Sequence, residues 1–504
     1  MVFRINNVKK YQQCPKHFLL DYTDISTGFP FIYFNESLVE AAKKYFHIDA
    51  DDLFTGTSSQ TSAETLAGLE NKTWACLARF EKHNLRIKVS FLKKEDDGYI
   101  YYALCRTCFP KEDEARRLYM EKWLLEEEGI HIKHIALVHL NAAYERNGDL
   151  NYDELFCVSD NFFKDANKVG KNVDDVVNNY HYDMLSALEN MKRIVELGEC
   201  DNEFKLECTK RGKCARYHDC FNEDELEDDS ILFLNGTRKK YEMYLNGQTK
   251  ITDVVLGEDV DGTYLQYAQF MACLKNREYV DANALSSWLN SSIEYPYVYI
   301  DFEWDTIGIP MYDKMKPYDV LVFQYSIHID DGKEVIHKEY LGNGGDSREE
   351  FIKHLLEDIP ENGTIIAYHA EGAEKLRLQE LAYQFPKYAD ELQAICNRMV
   401  DLTYPIMNGL YYHPKMRGTY SLKKLYAVIN DNHGYNELDI DHGLKAVEAY
   451  RNLDKLNDEE KAIIRKELFE YCGLDTYAML KLVNHLKKIT DERIQELLDR
   501  LHKK

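Results

Sequence analysis

Asp301 and Glu303 close an apolar run, Tyr297-Val-Tyr-Ile-Asp-Phe302, as the pattern Asp-Phe-Glu. In a strand, side chains two apart share a face. Two carboxylates on one face repel each other unless a cation neutralises them, so the pair is a candidate metal site. A third acid, Glu374, follows a second apolar run, Thr364-Ile-Ile-Ala-Tyr368, with Glu371 as the alternative. Its plainer role is to stabilise a helix N-terminus. Near the C-terminus, Tyr471 and Asp475 stand four apart, which puts both on one face of a helix. Such oxygen donors suit hard divalent cations, Mg²⁺ or Mn²⁺.

Cys208, Cys214 and Cys220 are evenly spaced, and Cys14 lies far upstream in Tyr-Gln-Gln-Cys-Pro-Lys-His-Phe. Thiolates in such a set bind an iron–sulfur cluster or zinc, with Cys200 as a substitute ligand. The start, MVFRINNVKKYQQ, lacks the apolar core of an export signal. The 12 cysteines are therefore expected as thiols or metal ligands rather than disulfides. Cys76, Cys105, Cys108, Cys157, Cys273, Cys396 and Cys472 read as packing residues.

These residues need elements to hold them. Residues 297–302, 320–327, 334–341 and 364–368 read as strands, and 347–357 as a helix. Three close strands, then helices alternating with another strand, predict an α/β domain with a mixed sheet and flanking helices over 291–504. Upstream, 85–105 predicts two strands joined at Asp96-Asp97-Gly98, 111–129 a helix, 133–140 a strand and 172–197 one long helix. The acidic run 222–229 reads as a solvated linker, and 226–290 as a helical linker region.

Composition sets outer bounds. Length, at 504 residues, predicts two to four domains. A net charge of −24 argues against a basic coat for non-specific nucleic-acid binding, while leaving room for a local basic groove. The absence of any apolar run of membrane-spanning length predicts no membrane partner and a cytoplasmic location.

Taken in order, Asp-x-Glu on a first strand, an acid beyond a later strand and Tyr-x-x-x-Asp on a late helix resemble the DnaQ-like, or DEDD, exonucleases of ribonuclease-H-like fold, in their tyrosine subgroup. Asp401, and the segment Gly418-Thr-Tyr-Ser-Leu-Lys-Lys424 before a helix, fit the same pattern. The resemblance implies a two-metal 3′–5′ exonuclease acting on DNA or RNA. Asp301, Glu303 and Asp475 would be metal ligands, Glu374 would act directly or through water, and Tyr471 would orient the attacking water. One departure is the second motif, Tyr-His-Ala-Glu-Gly-Ala-Glu, where the family has Asp in an Asn-x-x-Phe context.

Three late cysteines and one early one resemble the iron–sulfur RecB-like nucleases, of restriction-endonuclease-like α/β fold. The resemblance implies a 4Fe–4S cluster, or zinc, on Cys14, Cys208, Cys214 and Cys220, with 1–225 as that domain. The whole chain thus resembles a bacterial family of unknown function that pairs the two halves. Its-139-to-144 stretch, His139-Leu-Asn141-Ala-Ala-Tyr144, and Asp153-Glu-Leu-Phe156 are further echoes. RecB-like nucleases carry an acid on one strand and Glu-x-Lys on the next. Here the strands read Arg-Ile-Lys-Val-Ser-Phe-Leu and Tyr-Tyr-Ala103-Leu-Cys105-Arg106, so the half is expected to be catalytically degenerate. It would position nucleic acid or a protein partner. Lys210-Arg-Gly-Lys213 and Arg238-Lys-Lys240 are candidate phosphate contacts. The alternative for the whole chain is an inactive nucleic-acid-binding or regulatory scaffold.

Overall fold

The structure, a computed structural model, describes residues 1–24, 29–200, 205–209, 212–430, 434–435 and 438–502, apart from the Glu207 side chain. The expected basic contacts at residues 210 and 211 lie outside these. The protein is mixed α/β. Its chain forms two compact units: Met1–Phe204 with Ala215–Cys220 and Thr306–Asp319, and Lys205–Cys214 with Phe221–Asp305 and Val320–Lys504. Among the described residues no helix is long and apolar enough to cross a membrane.

In the first unit, six strands lie in chain order: β1 (Leu53–Thr55), β2 (Trp74–Lys82), β3 (Leu85–Glu95), β4 (Gly98–Leu104), β5 (Ile132–Leu140) and β6 (Phe156–Ser159). Strands β2, β3 and β4 are antiparallel neighbours, and β5 joins β4 in parallel. That parallel step needs a crossover, which helix α3 (Ala115–Glu127) supplies. Leu85, Ile87 and Val89 alternate into a core with Leu118, Leu124 and Ile135. Helices α1 (Ile5–Gln13) and α2 (Pro15–Thr23) pack in the same unit.

The expected single helix over 172–197 is instead two. Helix α4 (Val173–Asn178) follows a strand, and α5 (Met184–Leu197) starts afresh. Two N-caps explain the break: Asn172 accepts from Asp175 N at 3.1 Å, and Asp183 from Ser186 N at 3.0 Å.

The acidic run at 222–229 is not a solvated tether. Lys213 pairs with Glu223 at 2.5 Å, Arg417 with Asp228 at 2.7 Å and Lys250 with Asp229 at 2.7 Å. Nor does 226–290 stand apart as a linker. Ile231, Phe233, Leu234, Met243 and Ile251 form an apolar cluster of the second unit. Helices α6 (Lys239–Leu245), α7 (Tyr264–Lys275) and α8 (Ala282–Ser292) complete this stretch, and Tyr279–Val280 pairs antiparallel with Tyr411–Tyr412.

The site-bearing sheet is built from β7 (Tyr297–Ile307), β8 (Val320–Asp330), β9 (Val335–Leu341), β10 (Thr364–Ala367) and β11 (Met399–Asp401). In space they run β9-β8-β7-β10-β11. Strands β8 and β9 are antiparallel, whereas β7, β10 and β11 are parallel neighbours. Val298, Ile300 and Phe302 enter the core with Phe351, Ile352 and Leu355 of helix α9 (Arg348–Asp358). Alternation then sends Tyr299, Asp301 and Glu303 to the opposite face. Helices α10 (Glu374–Gln384), α11 (Ala389–Asn397), α12 (Leu422–Ile429) and α13 (Gly443–Asn452) follow. Finally α14 (Asp458–His502) runs 45 residues.

Candidate metal centre

Helix α14 is tied to the sheet through polar contacts at three levels. Gln324 Nε2 donates to Leu468 O at 2.8 Å, and Thr476 Oγ1 lies 2.8 Å from both Ser326 Oγ and His328 Nδ1. At Gly473 a Cβ would sit 3.4 Å from His337, so the helix approaches β9 closely there. These contacts fix the phase of the helix, and Asp475 comes to lie against β7. Asp301, Glu303 and Asp475 each offer an oxygen, and these atoms all lie within 4.8 Å of one another. Among the described residues they are the only group of three or more His, Cys, Asp or Glu gathered this tightly.

Glu374 belongs to the same centre. It opens α10 and is 2% exposed. Its Oε2 is buried with no hydrogen-bond partner. A buried, unmatched carboxylate oxygen is costly and fits a site that receives a cation. Glu371, the alternative, is 71% exposed at its side chain and pairs with Lys375 at 2.6 Å. Asp401 ends β11 and is used structurally: its Oδ1 accepts from His369 N, Thr403 N and Thr403 Oγ1 at 3.1, 2.8 and 2.7 Å.

The acids disturb one another's titration. Burial, then the charges of Asp475, Glu303 and Glu374, hold Asp301 well above the usual carboxylate range. Burial and Asp475 push Glu303 up to about 8. Burial pushes Glu374 up to about 8 as well, against its backbone bonds. Asp475 rises only to about 6, because Tyr435, Lys423 and Tyr471 oppose the effect of burial. Four crowded carboxylates, each raised in pKa chiefly by burial, are a natural cation receptacle. Their oxygen-only donor set fits Mg²⁺ or Mn²⁺.

Three neighbours were not singled out from sequence. Tyr435 O–H donates to Asp475 Oδ1 at 2.5 Å. Lys423 Nζ sits 4.9 Å from the ring centres of both Tyr435 and Tyr471, donates to the Asp441 carbonyl, and lowers Glu303 and Asp475. Cys472, read as packing, is buried, yet its thiol also donates to Asp301 Oδ2 at 3.4 Å. Lys423 lies inside the Gly418–Lys424 segment, which was a visible signal. Tyr435 carried none, since nothing periodic surrounds it. Tyr471 stands one turn before Asp475 on α14, and its side chain lowers the pKa of that carboxyl.

The sulfur set is distributed differently. Cys14 separates α1 from α2, and Cys220 ends the short helix Tyr217–Cys220; both are in the first unit. Cys208 and Cys214 are in the second, where Cys214 N donates to Cys208 O at 2.8 Å. All four are half-buried, as is Cys200, and no disulfide involves them. Cys76, Cys105, Cys108, Cys396 and Cys472 are buried, in keeping with packing, while Cys157 and Cys273 are half-buried.

A family model described as "Domain of unknown function (DUF2779)" matches residues 298–421, a span that holds Asp301, Glu303 and Glu374. The chain is similar to "Uncharacterized protein UU173" of Ureaplasma parvum, at 27% identity over 270 residues, covering 49% of this chain and 39% of that protein. It is also similar to "Uncharacterized protein MG366 homolog" of Mycoplasma pneumoniae, at 25% over 212 residues, covering 38% and 32%. The matched span is thus well under two thirds of either relative's length. No solved structure matches the chain.

Proposed function

We propose that residues 291–504 form a ribonuclease-H-like, DnaQ-like domain that hydrolyses phosphodiester bonds as a metal-dependent 3′–5′ exonuclease. The observation that carries the reading is the convergence of Asp301, Glu303 and Asp475 within 4.8 Å, with buried Glu374 beside them. The sheet order, third-second-first-fourth-fifth along the unit's strands, supports the fold assignment. Asp301, Glu303, Asp475 and Glu374 would hold two Mg²⁺ or Mn²⁺ ions. Bound ions of this kind supply charge stabilisation for the phosphoryl group and its attacking and leaving oxygens.

The chain's own groups do the positioning. Tyr435 orients the Asp475 carboxylate by donating to it, and Tyr471, one helical turn before Asp475, would orient the attacking water. Lys423 offsets acid repulsion before any ion arrives. Cys472 holds the Asp301 side chain.

The test is hydrolysis of labelled single- and double-stranded DNA and RNA with Mg²⁺ or Mn²⁺, comparing wild type with Asp301→Asn and Asp475→Ala. Loss of activity in both variants supports the reading, and a wild type no faster than its variants on every substrate ends it. A second reading, a scaffold that binds nucleic acid without turnover, is favoured by Glu374 standing where the family has Asp. Retained binding without product would establish it.

We further propose that the first unit is a degenerate RecB-like fold and that half-buried thiols of the chain hold a 4Fe–4S cluster, with zinc as the alternative. Visible absorbance and iron content of anaerobically purified protein separate the two.

A further inference from the structure

The first unit contains a cleft of about 450 Å³ with basic walls. Arg4 and Lys9 reach it from the N-terminal segment, Arg79 from β2, Arg86 and Lys88 from β3, and Arg117 from α3. Local pairing puts them there. Arg86 N donates to Phe3 O at 2.8 Å, which brings Arg4 beside the start of β3. Arg79 and Lys88 are direct cross-strand partners.

Two of the cations are already matched. Arg86 pairs with Glu81 at 2.9 Å and donates to the carbonyls of Ser58 and Gln60. Arg117 pairs with Glu114 and with Glu121, the acid that lines the cleft. Arg4, Lys9, Arg79 and Lys88 have no carboxylate within ion-pair distance among the described residues. Arg79 Nε is buried with no hydrogen-bond partner. Like charges directly opposite on neighbouring strands destabilise a sheet, and a buried, unmatched guanidinium nitrogen adds to the cost. On a chain of net charge −24, such clustering is not a by-product of composition. It is relieved by an anion.

The lining also limits the anion's nature. No aromatic side chain lines the cleft, so nothing there would stack on a base. Guanidinium groups match phosphate oxygens in pairs, and four unmatched cations exceed what one phosphate needs. We propose that this cleft binds adjacent phosphates of a nucleic-acid strand, without reading its bases, through Arg4, Lys9, Arg79 and Lys88.

The inference does not depend on the metal centre, and its test keeps the two apart. Binding of a short oligothymidylate and of sodium tripolyphosphate to the full chain is measured by calorimetry in chelator, where no hydrolysis occurs. Wild type, Lys88→Met, Lys9→Gln and Arg79→Lys are compared, with melting temperatures to establish folding. The expected result is oligonucleotide binding that Lys88→Met and Lys9→Gln each weaken by roughly tenfold, and that Arg79→Lys largely keeps. Its log–log salt slope should be near about −3, for four single-strand phosphate contacts. Should tripolyphosphate bind and the oligonucleotide fail to, the strand assignment is wrong. Should neither bind, or should Lys9→Gln and Lys88→Met bind as wild type does, the cleft is not a phosphate site.

Discussion

Asp301 is the residue most constrained by its neighbours, with two carboxylates close by and a thiol donating to it. Its protonation, and that of Glu303 and Glu374, ties stability to pH with a definite sign. An acid whose pKa is raised by folding binds more protons folded than unfolded, so its contribution falls as pH rises. For Glu303 and Glu374 the window runs from the ordinary carboxylate range up to about 8. The metal-free protein should therefore melt at a lower temperature at pH 8 than at pH 5. Mn²⁺ should restore most at the upper end, where the ligands are bare. A metal-free melting temperature that climbs steadily over this interval would rule the acid cluster out as the controlling group. His328 acts the other way at lower pH. Burial, then His337, pushes it down to about 4, so its contribution is present above the unfolded value near 6.5 and lost as pH falls toward 4.

Elements place these residues, and some do so through one atom of clearance. Gly363 precedes β10 with φ +92°, and a Cβ there would meet Pro296 O at 2.1 Å. Gly363→Ala is expected to cost about 2 kcal/mol or more in denaturant unfolding, while Gly473→Ala, with 3.4 Å of room in a helix, should be neutral or slightly stabilising. Equal effects from the two substitutions would contradict this account of the site's supports. The strands and helices around the acids were legible because their patterns are unmixed: the stretch from 297 to 302 is a short apolar run, and Tyr471 to Asp475 spans one helical turn. The break between α4 and α5 was hidden, since an apolar stripe can continue across two separately capped helices. Tyr435 and Lys423 reach Asp475 only through tertiary packing, which no local spacing encodes. The choice between Glu371 and Glu374 was likewise open in sequence, because both follow the same strand, and burial separates them.

For the whole molecule, the division into two units makes ligand effects separable. Each unit has its own apolar clusters, such as that of Leu85, Ile87 and Leu118 in the first and that of Val298, Ile300 and Phe351 in the second. The clustered acids lie entirely in the second unit and the basic cleft entirely in the first. Calorimetry should resolve two unfolding transitions, with Mn²⁺ raising one and oligonucleotide in chelator raising the other. A single transition that both ligands shift equally would show the units to be energetically one.

The length of α14 has a consequence for how this protein can vary. One helix carries Tyr471 and Asp475 near its first third, and its last buried position is Thr490. Each added residue turns everything beyond it by about 100°. An alanine inserted between Leu474 and Asp475 would swing the carboxylate off the sheet while leaving the charge untouched, whereas the same insertion after Asp491 would pass unnoticed at the acids. Between those two points an added residue re-phases the buried positions that follow it, whatever its type.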